Sequence, residues 1–578
     1  MKISFEKALL VSSLCCMGIQ AQADPIIDSW LTTYSSKYAR VYTNDAAKTA
    51  GNAASTWSNG TQVQSLPAYC GVQEIYFSSN WVYLKTSGLA SHTMGPWLNG
   101  SFPNLPKNQN VLYRIPRVPS VHTATNLTGL GAIGYFVDGV AMFDSRDAFY
   151  WNGSADVNGS GSWNREAYVN EGATFDPGYA HQENSGTHHY HADPIALRYL
   201  LGDHVDYNPS TKTYSESTNA ATKHSPILGW VRDGYPVYGP YGYSNATNPA
   251  SGARRMVSGY QLRNGQKGTD ILSTRATIPA WAARMYGISI NQSGPTVSTS
   301  YPLGRYMEDN AYLGDLTNSV TGTNYQQGVD FDLNEYNARW CATPEFPGGT
   351  YAYFVCINSN GTPVFPYNIG RSFFGNPSGG SVSSFGEVVT TNFVGGPNKR
   401  ESMSAPARSG NNMVLTWSAI EGGTYRVESK DDLSASSWNP FNTNTITASA
   451  TGSATNLNAA TAATRCYRVA RTALANYDGN TSGGGSSSVA PGGSASRGTT
   501  VTVTITLPTS PPWPPANAPI SSVTLAGSIS GTSISDSTQG TVIATFAIPS
   551  NAPTGAQNVV VVFNMGPTYT LTGGFTIN

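Results

Sequence analysis

Apolar positions along this chain recur in short alternating runs rather than at helical spacing. Residues 72–77 (Val-Gln-Glu-Ile-Tyr-Phe) and 81–84 (Trp-Val-Tyr-Leu) read as half-buried strands, although the alternation is imperfect. Residues 134–143 set two apolar runs on either side of Asp138-Gly139, the pattern of a hairpin closed by a tight turn. Residues 224–242 repeat that layout around Asp233-Gly234 and continue into a Pro/Gly/Tyr-rich return, which suggests an internal duplication. Helical patterns are scarce. Residues 192–202, with Pro194 near the start, and residues 279–286, with Pro279 at the first position, are the two candidates. The chain is therefore predicted to be mostly β, with a large β-rich region over residues 24–395.

The pattern changes beyond residue 395. Residues 396–410 read as a linker. Residues 411–475 carry short alternating strands, such as Met-Val-Leu-Thr-Trp at 413–417, and look like a small β-sandwich of the fibronectin type III kind. Residues 476–497 are rich in Gly and Ser, the composition of a flexible connection. Residues 498–578 return to strands, and the turn at 548–556 resembles that of the immunoglobulin-like IPT/TIG domains. A Pro-rich insertion with Trp513 separates the first strands of that unit.

Composition supports the same picture and excludes some functions. Gly (60) and Tyr (33) are abundant among 578 residues, favouring turns and strands. Only 12% of residues are charged and the formal net charge is −1, so there is no electrostatic case for nucleic acid or an anionic membrane. Residues 1–23 read as an export signal: Lys2 and Lys7, an apolar run over 8–19, and Ala-Gln-Ala at 21–23 before Asp24. No later stretch is apolar and long enough to span a bilayer as a helix, so the mature chain is expected to be secreted, periplasmic or held at the cell surface. Four cysteines lie beyond the signal. Cys341 and Cys356 flank a Pro/Gly-rich turn and are expected to form a disulfide. Cys70 and Cys466 are either a second pair or free buried thiols.

The candidate chemistry is concentrated. Six of the eight histidines fall between His181 and His224. In an extended segment His189 and His191 point the same way, and two imidazoles so placed can reach one metal ion. His181, separated from them by the turn-forming Asn184-Ser185-Gly186, can return on a paired strand as a third ligand, and His224 is a fourth candidate. A lone histidine would more simply be a hydrogen-bonded core residue; a cluster in a His-poor chain points to a divalent ion, Cu, Zn, Mn or Fe, and not to a soft thiolate site. Asp193 is a carboxylate candidate near the ligands or the N-cap of the segment after Pro194. Asp176 and Glu183 are the other nearby carboxylates. Asp233 reads as a turn residue or as a carboxylate orienting a ligand histidine, and Tyr190 and Tyr235 as pocket or core tyrosines. The sequence shows no Walker loop, dinucleotide fingerprint, nucleophile elbow or His-Glu-x-x-His helix.

The segment 189–191, the block 224–242 and the block 343–354 (Thr-Pro-Glu-Phe-Pro-Gly-Gly-Thr-Tyr-Ala-Tyr-Phe) occur in the order of the YHYH domain family, which this chain resembles over about residues 60–390. The family takes its name from a Tyr-His-Tyr-His motif. Here His188 stands where the first Tyr would be. The resemblance implies export and a shared fold but no reaction. Two functions follow from the residues. One is an exported metal-binding domain acting as a metalloenzyme, or, with a closed shell, as a metal store. The other is a surface-binding or adhesion protein whose C-terminal β-domains take a glycan or cell-surface ligand, with the histidines structural.

Overall fold

The computed structural model describes residues 24–578 apart from 60–61, 442–445, 449, 462–463, 480–488, 491–493, 507–519, 539–540 and 564–567. The expected export signal and the whole Pro-rich insertion lie outside the described residues. The chain is mostly β, as its alternating pattern predicts. No helix among the described residues is long and apolar enough to cross a membrane. The helix candidates appear as Ile195–Leu200, capped by Pro194, and Ala280–Tyr286, capped by Pro279.

The centre is an eight-stranded mixed sheet. Its strands are β1 (Gly134–Phe136), β2 (Ala141–Met142), β3 (His181–Gln182), β4 (His188–Tyr190), β5 (Ile227–Val231), β6 (Pro236–Tyr238), β7 (Ala338–Cys341) and β8 (Thr350–Phe354). They lie in the order β3-β4-β2-β1-β5-β6-β8-β7. A five-stranded sheet containing Val72–Phe77, Trp81–Thr86 and Val111–Pro116 shares its core, where Ile75, Val82, Leu84 and Ile115 meet Phe136 and Trp230. A second apolar cluster, built on Trp163, Trp281, Tyr306 and Phe365, packs beyond it.

The two Asp-Gly hairpins adjoin at the middle of the sheet and repeat each other. Gly139 (φ +82°) and Gly234 (φ +90°) turn the chain, and Asp138 and Asp233 each accept the N–H two residues on, from Val140 at 3.2 Å and Tyr235 at 3.1 Å. Val137 N–H donates to the Leu228 carbonyl and Arg232 N–H to that of Ile133, a reciprocal pair across the β1–β5 junction. Outward from the hairpins, β4 runs parallel to β2 and pairs antiparallel with β3, while β8 runs parallel to β6 and pairs antiparallel with β7. The sheet is thus two copies of one four-strand layout, the topological form of the duplication suggested by the sequence. Register sets His189 in the first copy against Ala352 in the second, Tyr190 against Tyr353, His191 against Phe354, and His181 against Arg339.

One expectation is overturned here. Cys341 and Cys356 are both free and buried, as is Cys70; Cys466 is also free but half-buried. Cys341 lies opposite Thr350 at the turn end of the β7–β8 pair, whereas Cys356 follows Phe354 past the other end, so register separates them. The Cys356 thiol instead faces Asn337 Oδ1 at 3.1 Å.

Residues 407–474 form two sheets closed around Leu415, Trp417, Tyr425 and Val427. Residues 489–577 form two more, closed around Val503, Val523, Phe546 and Val561. The first of these units is seated on the large region. Ile420 and Tyr477 pack with Tyr38 and Tyr69, and Arg40 pairs with Glu421.

Candidate metal centre

The strand pair β3–β4 aligns His181 directly opposite His189. Alternation along the extended chain then puts His191 on the same face, and the three imidazoles converge, with one ring nitrogen of each within 4.8 Å of the others. Aromatic rings fix their planes. His189 stacks on Phe143 at 3.8 Å between centroids, and His191 stands edge-on to the same ring at 5.7 Å. Phe175 packs edge-on against His181 at 4.8 Å.

Hydrogen bonds decide which nitrogen faces the centre. His189 Nδ1 lies 2.8 Å from the Thr187 carbonyl and His191 Nδ1 lies 2.7 Å from that of Asp144. A carbonyl only accepts, so each neutral ring carries its proton on Nδ1 and leaves Nε2 as a bare lone pair. His181 reaches the same state by a relay. The Thr174 hydroxyl donates to the Glu171 carbonyl at 2.6 Å, which leaves its oxygen to accept from His181 Nδ1 at 2.7 Å. Outer partners of this kind are the usual means of orienting metal-binding imidazoles. Burial, with the neighbouring histidines adding to it, holds the pKa values of His181 and His189 well below the ordinary imidazole value, so both rings are neutral and available as ligands.

The sequence did not single out the fourth member. Glu171, the last residue of the short helix Ala167–Glu171, places Oε2 3.3 Å from His191 Nε2 and 3.7 Å from His181 Nε2. His189 Nε2 and His191 Nε2 are 3.1 Å apart. With the protons on Nδ1, four acceptors point at one another with no donor among them. Ligands about 2.1 Å from a common ion stand about 3.0–3.4 Å from their neighbours. The His189–His191 (3.1 Å) and His191–Glu171 (3.3 Å) spacings are those of adjacent positions in a coordination shell, and the His181–Glu171 spacing (3.7 Å) is slightly wider. Glu171 is the most exposed of the four, its side chain 28% accessible. The group opens into a cavity of about 760 Å³ also lined by Phe102, Arg146 and Asp147.

The remaining sequence candidates lie elsewhere. His224 belongs to the other half of the sheet, packed on Tyr238, Tyr243 and Phe354 with Nδ1 bonded to the Ser225 carbonyl. Tyr190 alternates to the opposite face of β4, where its hydroxyl approaches His92 Nδ1 at 3.5 Å. Asp193 is neither ligand nor N-cap, because the strand ends before it and its carboxylate pairs with buried Arg198 at 2.9 Å. Asp233 keeps its turn bond and accepts from the Tyr353 hydroxyl at 2.6 Å; Tyr235 packs on Phe374. None of these five lines the cavity. Of the other nearby carboxylates, Asp176 lies behind the strand and Glu183 caps the 183–187 turn through the Ser185 and Thr187 N–H groups.

Residues 112–365 match the YHYH protein family. The YHYH match takes in all eight strands of the central sheet, both halves of the repeat and all four converging side chains. It is narrower than the 60–390 expected, and the five-stranded sheet extends beyond it on both sides. No curated protein matches the chain. Among solved structures, the ICAM-5 D1-D4 ectodomain fragment aligns at 14% identity with a TM-score of 0.11. It covers 33% of this chain and 57% of that one, so the chain spans little more than half of that fragment. A likeness so slight carries no argument for the C-terminal units.

Proposed function

We propose that the YHYH region binds one divalent first-row metal ion through His181, His189, His191 and Glu171, and that the exported chain uses it as a metalloenzyme. The observation that carries this reading is the tautomer pattern: every Nδ1 is anchored, so three Nε2 lone pairs and a carboxylate face one point. Three nitrogens and one oxygen suit Zn, Cu, Mn or Fe. Such a set leaves coordination positions for water and substrate, and the adjoining cavity gives them room. Closed storage sites fill those positions with protein atoms. Arg146 lines the cavity, and its guanidinium charge favours a small substrate bearing an acidic or carbonyl oxygen. A bound ion would activate water or polarise that oxygen; Glu171, the accessible ligand, is placed to hold the incoming group or its proton.

The test is metal analysis of the purified mature chain after chelation and reloading. Wild type is expected to bind at this site, and His189→Ala with His191→Ala to abolish that binding. A wild-type chain whose metal uptake is unchanged by that pair of substitutions would refute the assignment.

A further inference from the structure

The face of β4 turned away from the cavity carries a second convergent group. His188 alternates with His189, and on its side of the strand it meets His92 and Asp176. One ligand atom of each lies within 4.8 Å of the others. All three are buried, His188 completely. None lines the cavity of the first site.

The polar atoms of this group are not spent. The Gln182 amide is fixed by donation to the Asn104 carbonyl at 2.6 Å, which turns its oxygen towards His188 Nδ1 at 3.4 Å. That oxygen only accepts, so His188 carries its proton on Nδ1, and its Nε2 is a bare lone pair without a hydrogen-bond partner. His92 Nε2 makes no hydrogen bond of ordinary length and faces Asp176 Oδ2 at 3.6 Å. Asp176 is held rigidly: Oδ2 accepts from Gly95 N–H at 2.7 Å, and Oδ1 from those of Gly178 at 2.8 Å and Ala180 at 3.2 Å. Leaving a buried polar atom unsatisfied is costly, and this group leaves His188 Nε2 with no partner and His92 Nε2 with only a long contact to the carboxylate. A His–Asp core pair would need only one imidazole; His188 is the residue such a pair does not explain.

We infer that His92, Asp176 and His188 form a second, buried site for a divalent cation of the Zn²⁺ class, structural in role and separate from the centre on the opposite face of the same strand. Two imidazoles and a carboxylate are a Zn²⁺ ligand set, and full burial suits an ion that stays. The site is a property of this chain more than of the YHYH pattern. His188 occupies the position of that motif's first Tyr, its counterpart in the second half of the sheet is Tyr351, and His92 lies outside residues 112–365. An ion here would clamp β4 and the segment carrying Glu171 and Thr174 to the chain around residue 92. Its occupancy would therefore help position the first centre.

Titration of the purified full-length mature chain with Co²⁺ and Zn²⁺, with bound metal counted by mass spectrometry, separates the two sites. Wild type is expected to take up two ions per chain. His189→Ala with His191→Ala should retain one, and His188→Gln added to that pair should remove it. His188→Gln alone should retain the front ion only. His188→Tyr, which restores the motif residue, serves as a second variant and should also lower the count from two to one. The inference is overturned if the front-site variant, folded by circular dichroism, binds no ion, or if both His188 variants still bind two. Because the two counts are read separately, failure of the front site would leave a His188-dependent ion, and failure of this one would leave an ion dependent on His189.

Discussion

Thr174 shows how much of the front group depends on a side chain that stands behind the converging ring nitrogens. Its hydroxyl sets the proton of His181 by spending its own on the Glu171 carbonyl. Thr174→Val keeps the shape and removes the relay. Metal affinity is expected to fall about 10–100-fold with the ion still bound, as for other outer partners, and competition with a chromophoric chelator measures it. Glu166, which accepts Val169 N–H at the start of the helix carrying Glu171, is a different kind of residue. Burial pushes its pKa up to about 8, so the folded state keeps it protonated while the unfolded chain ionises it above its ordinary value of 4.5. Its contribution to stability is complete below that value and is lost as pH rises towards 8. Glu166→Gln cannot ionise and removes this slope. Relative to wild type, the variant should gain stability on the order of 1–3 kcal/mol between about pH 5 and about pH 8, read by denaturant unfolding at both.

At the scale of elements, the hairpins around Asp138-Gly139 and Asp233-Gly234 hold the sheet together at its middle. A Cβ on Gly139 would lie 2.4 Å from Thr86 Oγ1 and 2.8 Å from Val72 N; one on Gly234 would lie 2.6 Å from the Pro116 carbonyl oxygen. Both also need positive φ, which costs a side chain about 1–3 kcal/mol. Gly139→Ala and Gly234→Ala should each lower stability by at least that amount in thermal unfolding. These hairpins were legible because Asp-Gly between apolar runs has one common solution. His181, His189 and His191 were legible for a related reason, since alternation and a turn suffice to bring them together. Glu171 was not, because it reaches the centre from the end of a helix whose packing angle no local pattern encodes. His224 was misplaced because proximity in sequence conceals the dyad between the half-sheets. The expected Cys341–Cys356 bond failed in the same way: a turn between two cysteines says nothing about the register that carries them to opposite ends of a strand pair.

Across the whole molecule, the unit at residues 407–474 is anchored, not strung loosely on its linker. Ile420 inserts among Tyr38, Tyr69 and Tyr477, and Glu421 accepts from Tyr38 N–H while pairing with Arg40. Ile420→Asp places an unpaired charge in that aromatic cluster and should free the unit without unfolding it. Small-angle scattering would show a larger radius of gyration, and limited proteolysis would cut earlier within residues 396–406; unchanged profiles would mean that the contact does not hold the unit. The repeat within the central sheet bears on the apo protein. Its second copy closes the same four strands with Arg339, Ala352 and Phe354 where the first has imidazoles. Backbone pairing and apolar packing therefore suffice for this layout, and chelating any ion held by the front group should leave its scaffold standing, unlike small zinc modules that collapse when chelated.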